Sequence, residues 1–219
     1  PGFQEGHFFV QDIASQLCCH VLAPRPGERV LDLCAAPGGK SFAMAIAMEN
    51  RGELRSFDLH EKRVRLIADG ARRLGLTVIK ASAGDASRLN PELESWGDAV
   101  LCDVPCSGLG TLQKKPDLRY KDIDSLDGLY ALQRTILENA SRYVAPGGRL
   151  LYSTCTLNPR ENGEVVAEFL GRHPEYSLID IRPMLPEALR EGQENRDVTL
   201  LPHITDTDGF YIALMQNLS

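Results

Sequence analysis

The chain has 219 residues, 43% of them hydrophobic, with 24 Lys and Arg against 30 Asp and Glu and a formal net charge of −6. This balance excludes a disordered segment and supplies enough apolar side chain for a sizeable core, and the 19 Gly and 13 Pro form no repeat or low-complexity tract. No apolar run reaches the ~18 residues that span a bilayer and no charged-then-apolar leader opens the chain, so a soluble, cytoplasmic protein is expected.

Residues 7–23, with Phe8, Phe9, Ile13, Leu17, Val21 and Leu22, read as an amphipathic helix, and Pro24 to Gly27 then turns the chain. Residues 30–33 form a short apolar strand, 35–39 have turn composition, and 40–50 carry Phe42, Ala43, Ile46 and Ala47 at helical spacing. A second strand over 53–57 ends at Asp58, and a helix is expected over 60–74. A third apolar stretch, 76–80, leads into Ala83, Gly84 and Asp85, and a fourth, 98–102, ends at Asp103. A helix over 126–144 closes at Pro146, Gly147 and Gly148 before a strand at 149–153. Asn158 caps a helix running to Arg172 with Pro159 in its first turn. Residues 181–203, rich in Pro and charge, read as a surface excursion before a last strand over 209–215. Strands alternating with helices predict an α/β fold with a mainly parallel, doubly wound sheet.

The strand, glycine turn and helix at 30–50 suit a nucleotide-like cofactor, because glycines admit a ligand close to the backbone and the helix start offers free N–H groups. The turn reads Ala-Ala-Pro-Gly-Gly-Lys and lacks the Gly-x-Gly-x-x-Gly pattern, which disfavours a nicotinamide enzyme. Asp58, Asp85 and Asp103 each follow the carboxyl end of an expected parallel strand, where such folds bind ligands, and Asp58 is placed for ribose hydroxyls. Any one acid taken singly is as well explained as a helix cap or loop residue. Six Cys without regular spacing, no Cys-x-x-Cys pair and no His-rich tract argue for a reducing compartment and against a metal site. Cys18, Cys19, Cys34 and Cys102 suit small buried positions, whereas Cys106 and Cys155 call for another explanation.

The strings PGFQEGHFFVQDIASQL, LDLCAAPGGKS, DVPCSGLGTLQKKPD, YSTCTLNPREN and TDGFYIALM span nearly the whole chain. In them the chain resembles the RNA 5-methylcytosine methyltransferases, and among these the Sun-type bacterial 16S ribosomal RNA cytosine-5 enzymes, in their catalytic domain. The resemblance implies a Rossmann-like class I S-adenosylmethionine-dependent methyltransferase fold, parallel except for one antiparallel strand near the carboxyl end. It implies that residues 1–219 are a single catalytic domain, a fragment lacking the family's amino-terminal RNA-binding region. It also implies that Cys34, Ala35, Ala36, Pro37, Gly38, Gly39 and Lys40 surround the methionine part of the cofactor, that Asp58 binds ribose, that Asp85 lies near adenine and that Asp103 faces both cofactor and target base. Val104 departs from the commoner Ala of the Asp-Ala-Pro-Cys string, a packing difference.

Carbon-5 of cytosine is a poor nucleophile, so an enzyme that methylates it first adds a nucleophile to carbon-6. A thiolate suits that task, because sulfur attacks well and leaves again, and a second group must then take the carbon-5 proton. DNA enzymes on this fold attack with the Pro-Cys thiol, which would select Cys106; the RNA family attacks with the Thr-Cys thiol, which selects Cys155. With both strings matching the RNA family, Cys155 is the expected nucleophile and Cys106 the release assistant, with Asp103 holding the base and Lys40 pairing with Asp103. A DNA cytosine methyltransferase using Cys106, or a cofactor-binding ribosome assembly factor without catalysis, are the alternatives. The expected partner is unpaired RNA, ribosomal by the resemblance, met by a basic rim of Lys114, Lys115, Arg119, Lys121 and Arg160. Tyr120 is a candidate base-stacking residue, Phe8 and Phe9 suit packing, and His203, Asp206 and Asp208 suit structural roles. The sequence does not set the oligomeric state, with a monomer as the default.

Overall fold

In the computed structural model, which describes residues 2–120, 122 and 126–219, eight strands form one sheet in the order β3-β2-β1-β4-β5-β8-β6, with β7 also paired to β8. The strands are β1 (Arg29–Asp32), β2 (Glu53–Asp58), β3 (Ile79–Ala83), β4 (Gly97–Asp103), β5 (Val144–Thr154), β6 (Tyr176–Leu178), β7 (Val198–Leu200) and β8 (Phe210–Asn217). Strands β1 to β5 are mutually parallel, and β8 lies antiparallel to β5. Because β6 and β7 are each antiparallel to β8, they run with β1 to β5, which leaves β8 as the one reversed strand among the described residues. The mostly parallel sheet with a single antiparallel strand near the carboxyl end is the architecture expected.

The central strands β1, β4, β5 and β8 carry apolar runs because both of their faces are covered. Val30, Leu101, Leu151 and Leu214 pack on one face against α1 (Ile13–Leu22) and α2 (Gly39–Ala47). Leu31, Val100, Leu150 and Ala213 point to the other, against α4 (Asp127–Tyr143) and α5 (Gly163–Arg172). Helix α3 (Glu61–Leu74) joins α2 through Phe42, Ala45, Ile67 and Ala71. At about 25 cal/mol per Å² of apolar surface removed from water, these two layers are the main favourable contribution to folding.

Several elements differ from expectation, each for a local reason. The first helix begins at Ile13, because Asp12 accepts the Ala14 N–H at 2.9 Å and caps it, a contact of about 1 kcal/mol. Phe8 is therefore outside the helix and half exposed, packed edge-on to Phe3, while Phe9 meets Phe42. Strand β3 lies at Ile79–Ala83 rather than 76–80; Leu76 and Val78 were apolar because they fill the cluster under α3. The expected helix from Asn158 is broken at Asn162 (φ −116°, ψ −110°) into a 3₁₀ turn, Pro159–Glu161, and α5. The segment 181–203 is not a surface excursion: Ile181, Leu185, Leu189, Val198 and Leu200 are buried in the core, and β7 and α6 (Pro202–Thr205) lie within it or at its end. No helix among the described residues is long and apolar enough to cross a membrane.

Candidate active site

The carboxyl ends of the parallel strands set the site. Asp32, Asp58 and Asp103 are the last residues of β1, β2 and β4, and Asp103 is aligned with Ser153 of β5. Residues leaving these strands therefore collect along one edge of the sheet, as open α/β sheets require for ligand binding. A cavity of about 680 Å³ opens there, lined by Cys34, Asp58, Asp85, Asp103, Cys106 and Cys155 among others. A second hollow of about 220 Å³, lined by Gln11, Ser15, Asp32, Gly39, Lys40 and Asp103, shares Cys34, Ala36 and Asp103 with the first.

The turn between β1 and α2 is shaped by its glycines. Gly38 holds φ +115° as the helix N-cap, and a Cβ there would come within 2.5 Å of the Phe42 ring, so only Gly fits without strain. Cys34 is partly exposed on the cavity, which corrects its reading as a buried packing residue, whereas Cys18, Cys19 and Cys102 are buried. Ala35 is buried and Ala36 half buried, and Pro37 is on the surface of the turn.

Asp58 is nearly buried, with one oxygen accepting the His60 N–H at 3.0 Å and the other 3.3 Å from Arg63. Asp85 sits at the cavity rim, where one oxygen accepts both the N–H and the hydroxyl of Ser87 at 3.0 and 2.6 Å. These bonds hold the Asp85 carboxyl below its usual range, so it also serves as the loop cap. Lys40 pairs with Asp103 at 2.8 Å and reaches the Ser15 hydroxyl at 3.2 Å. Burial works against the Lys40 charge, but the adjacent Asp103 carboxylate outweighs it and keeps Lys40 well above its ordinary value. The other Asp103 oxygen accepts the Ser153 hydroxyl at 2.8 Å.

Asp32 was not singled out from the sequence as a ligand, although it too is an acid at a strand end. It is fully buried, and burial lifts its carboxyl to about 7 against the opposing hydrogen bond from Ser41. Its Oδ1 and the Gln11 Oε1 are buried without a hydrogen-bond partner among the described residues, and both residues line the smaller hollow. Two orphaned acceptors beside a glycine turn match a donor-rich cationic group, which fits the amino end of the expected S-adenosylmethionine.

Cys106 and Cys155 come from different loops, after β4 and β5, yet their sulfurs lie 3.2 Å apart. The loops are joined by the Gly110 N–H bonding the Cys155 carbonyl at 2.9 Å, and by the Gly209 N–H bonding the Gly110 carbonyl at 2.8 Å. A Cβ at Gly110 would fall 1.9 Å from the Gly209 carbonyl oxygen, so this close crossing requires glycine. The thiols are unequal. The hydrogen bond from Cys106 holds the Cys155 thiol below its ordinary value despite burial, whereas donating that bond, together with burial, pushes Cys106 far up. With the Cys106 thiol as the donor, Cys155 is the sulfur of the pair that ionises the more readily.

The basic rim is only partly available. Lys114 is held by Asp12 and Asp208 at 2.7 and 2.6 Å, and Arg160 pairs with Asp127 at 3.2 Å while lying over the Tyr130 ring. Lys115 lines the large cavity, Arg119 and Tyr120 are exposed beyond it, and Lys121 falls outside the described residues. Asp208 is a structural partner, as expected, and Asp206 closes α6 at φ 52°.

Residues 19–216 match the model of the family described as 16S rRNA methyltransferase RsmB/F. A probable ribosomal RNA small subunit methyltransferase B of Bacillus subtilis is 42% identical over 217 residues, covering 98% of this chain and 48% of that protein. The crystal structure of PH0851 is 39% identical with a TM-score of 0.91, covering 99% of this chain and 48% of that one. That of NSun6 from Pyrococcus horikoshii with SFG is 30% identical with a TM-score of 0.87, covering 100% of this chain and 55% of that one. The chain thus spans about half the length of the curated relatives it matches. With the motif strings, the strand order and the paired thiols in agreement, the chain belongs to the 16S rRNA methyltransferase RsmB/F family.

Proposed function

We propose that the 219 residues form a single catalytic domain that methylates carbon-5 of a cytosine in ribosomal RNA, with Cys155 as nucleophile. The names of the relatives support the substrate class, and the SFG-bound neighbour supports the donor. The cofactor is S-adenosylmethionine, which supplies an electrophilic methyl group when bound. Cys34 to Lys40 would surround its methionine part, Asp32 and Gln11 would accept from its amino group, and Asp58 would take the ribose hydroxyls. The observation that carries the reading is the pair of sulfurs 3.2 Å apart on the wall of the cavity shared with Asp58 and Asp103. A scaffold has no use for such a pair.

The chemistry follows from the inequality of the thiols. The Cys155 thiolate would form a bond to carbon-6 and place the displaced electron pair on carbon-5, which would accept the methyl group as that group's bond to the donor sulfur breaks. Asp103, fixed by Lys40 and Ser153, would accept from the exocyclic amino group of cytosine and hold the ring in place for attack. Once Cys155 is bonded to carbon, its negative charge no longer opposes ionisation of Cys106, whose proton then passes to solvent through the open cavity. Cys106 then takes the carbon-5 proton, the electron pair restores the ring double bond, and the Cys155–carbon bond breaks to regenerate the thiolate. Reaction of unmodified ribosomal RNA with methyl-labelled S-adenosylmethionine, followed by digestion and mass spectrometry of the nucleosides, tests the proposal. Label in 5-methylcytidine is expected; label in another nucleoside contradicts it.

A further inference from the structure

A fully buried carboxylate that this chemistry does not use lies beneath both thiol loops. Glu161, in the 3₁₀ turn after β5, has no solvent exposure. Its Oε2 accepts the Ser107 backbone N–H at 2.8 Å and the Gln133 side-chain amide at 2.9 Å. Its Oε1 accepts the Ser107 hydroxyl at 2.5 Å and the Asn158 amide at 3.2 Å. With the Ser107 proton spent on the carboxylate, the Thr156 hydroxyl 2.8 Å away is the donor to Ser107 Oγ. Gln133 on α4 also donates to the Pro105 carbonyl at 2.9 Å. The residues immediately following the two cysteines, and the one preceding Cys106, are therefore tied directly or through one bridge to a single carboxylate.

The placement is specific to the thiols. A buried carboxylate persists only when donors compensate the loss of water, and those collected here belong mainly to the Cys106 loop, the Cys155 loop and the helix behind them. Removing it would take the carboxylate acceptor from the Ser107 N–H and from the Gln133 amide in a dry interior and would release the two loops from one another. We infer that Glu161 is a positioning residue that sets the separation of the Cys106 and Cys155 sulfurs by clamping the backbone beside each. The separation itself does not depend on the cytosine-5 reading; its consequence for methyl transfer does.

The thiol pair can be measured without substrate. Cys106 and Cys155 together pass two electrons and two protons to oxidised glutathione, giving one S–S bond and two molecules of reduced glutathione. The sulfurs close from 3.2 Å to about 2 Å in doing so, so the equilibrium constant reports how well the loops hold them together. Peptide mass spectrometry identifies the Cys106–Cys155 bond among the six cysteines. Glu161→Ala is expected to lower that constant about tenfold or more and to slow single-turnover methyl transfer by a similar factor, with S-adenosylmethionine affinity within about twofold. Glu161→Gln, which keeps one carbonyl oxygen for the Ser107 N–H and Gln133, is expected to recover part of both. If Glu161→Ala does not fold, Glu161→Gln and Ser107→Ala decide, each with a loss of about threefold or more in the thiol equilibrium. An unchanged thiol equilibrium in the folded variants, or a parallel loss of S-adenosylmethionine affinity, overturns the inference. If the unsubstituted protein makes no 5-methylcytidine, the functional reading fails while the thiol equilibrium still decides the role of Glu161.

Discussion

Around β1, the groups that line the cavity come mostly from one stretch of chain, residues 32–40, and are held by the conformation of a turn. Around β4 and β5 they come from two loops whose cysteines are 49 positions apart, and they are held by buried polar ties reaching a third element, α4. The cofactor side is thus fixed by local backbone geometry, and the thiol side by long-range hydrogen bonds. Substitutions on the first should change donor affinity and leave the thiol chemistry intact, and substitutions on the second should do the reverse.

The largest expected effect lies on the thiol side. Cys155→Ala should lower single-turnover methyl transfer by roughly three orders of magnitude or more, with donor affinity, read by calorimetry, within about twofold. A comparable loss of donor affinity would break the comparison. Cys106→Ala should slow steady-state turnover by roughly 10²- to 10³-fold, the usual worth of a proton-transfer group. It should still give a first burst of methyl transfer, because the attacking sulfur is intact.

On the cofactor side, the Asp32 carboxyl is lifted to about 7 by burial, so in the free protein it stays protonated through mildly acidic pH. Only its ionised form attracts a cationic amino group, so donor affinity should rise as pH rises towards 7 and fall as the carboxyl takes up its proton. The expected rise is roughly tenfold between pH 5.5 and 7, and Asp32→Asn should flatten it. A flat profile in the unsubstituted protein would separate Asp32 from the donor. Gly38→Ala should cost about 1–3 kcal/mol through its left-handed backbone and the Phe42 ring, seen as a lower Tm with an unchanged glutathione equilibrium of the thiols. The smallest effect belongs to Lys114→Ala, whose half-exposed ion pairs are worth about 1 kcal/mol or less.

The same division explains what could be read from the sequence. The glycine turn and the acids at strand ends are legible because each follows its strand directly, and Asp58 and Asp103 stand where that pattern puts them. Apolar content misplaced β3, since Leu76 and Val78 serve the helix cluster while the strand itself, Ile-Lys-Ala-Ser-Ala, is poor in bulky side chains. Prolines and charges in 181–203 hid Ile181, Leu185 and Val198, whose burial depends on packing against α1 and the sheet. Glu161 stands in the string YSTCTLNPREN, six positions after Cys155, but its function as an acceptor needs Ser107 and Gln133 beside it. No local pattern encodes that meeting.

The division of labour between the thiols is tested most directly on a denaturing gel. RNA carrying unmodified cytosine would be incubated with S-adenosylmethionine and either Cys106→Ala or Cys155→Ala. A denaturation-resistant protein–RNA adduct with Cys106→Ala and none with Cys155→Ala is the predicted result. An adduct with Cys155→Ala alone would contradict it and assign the attack to Cys106.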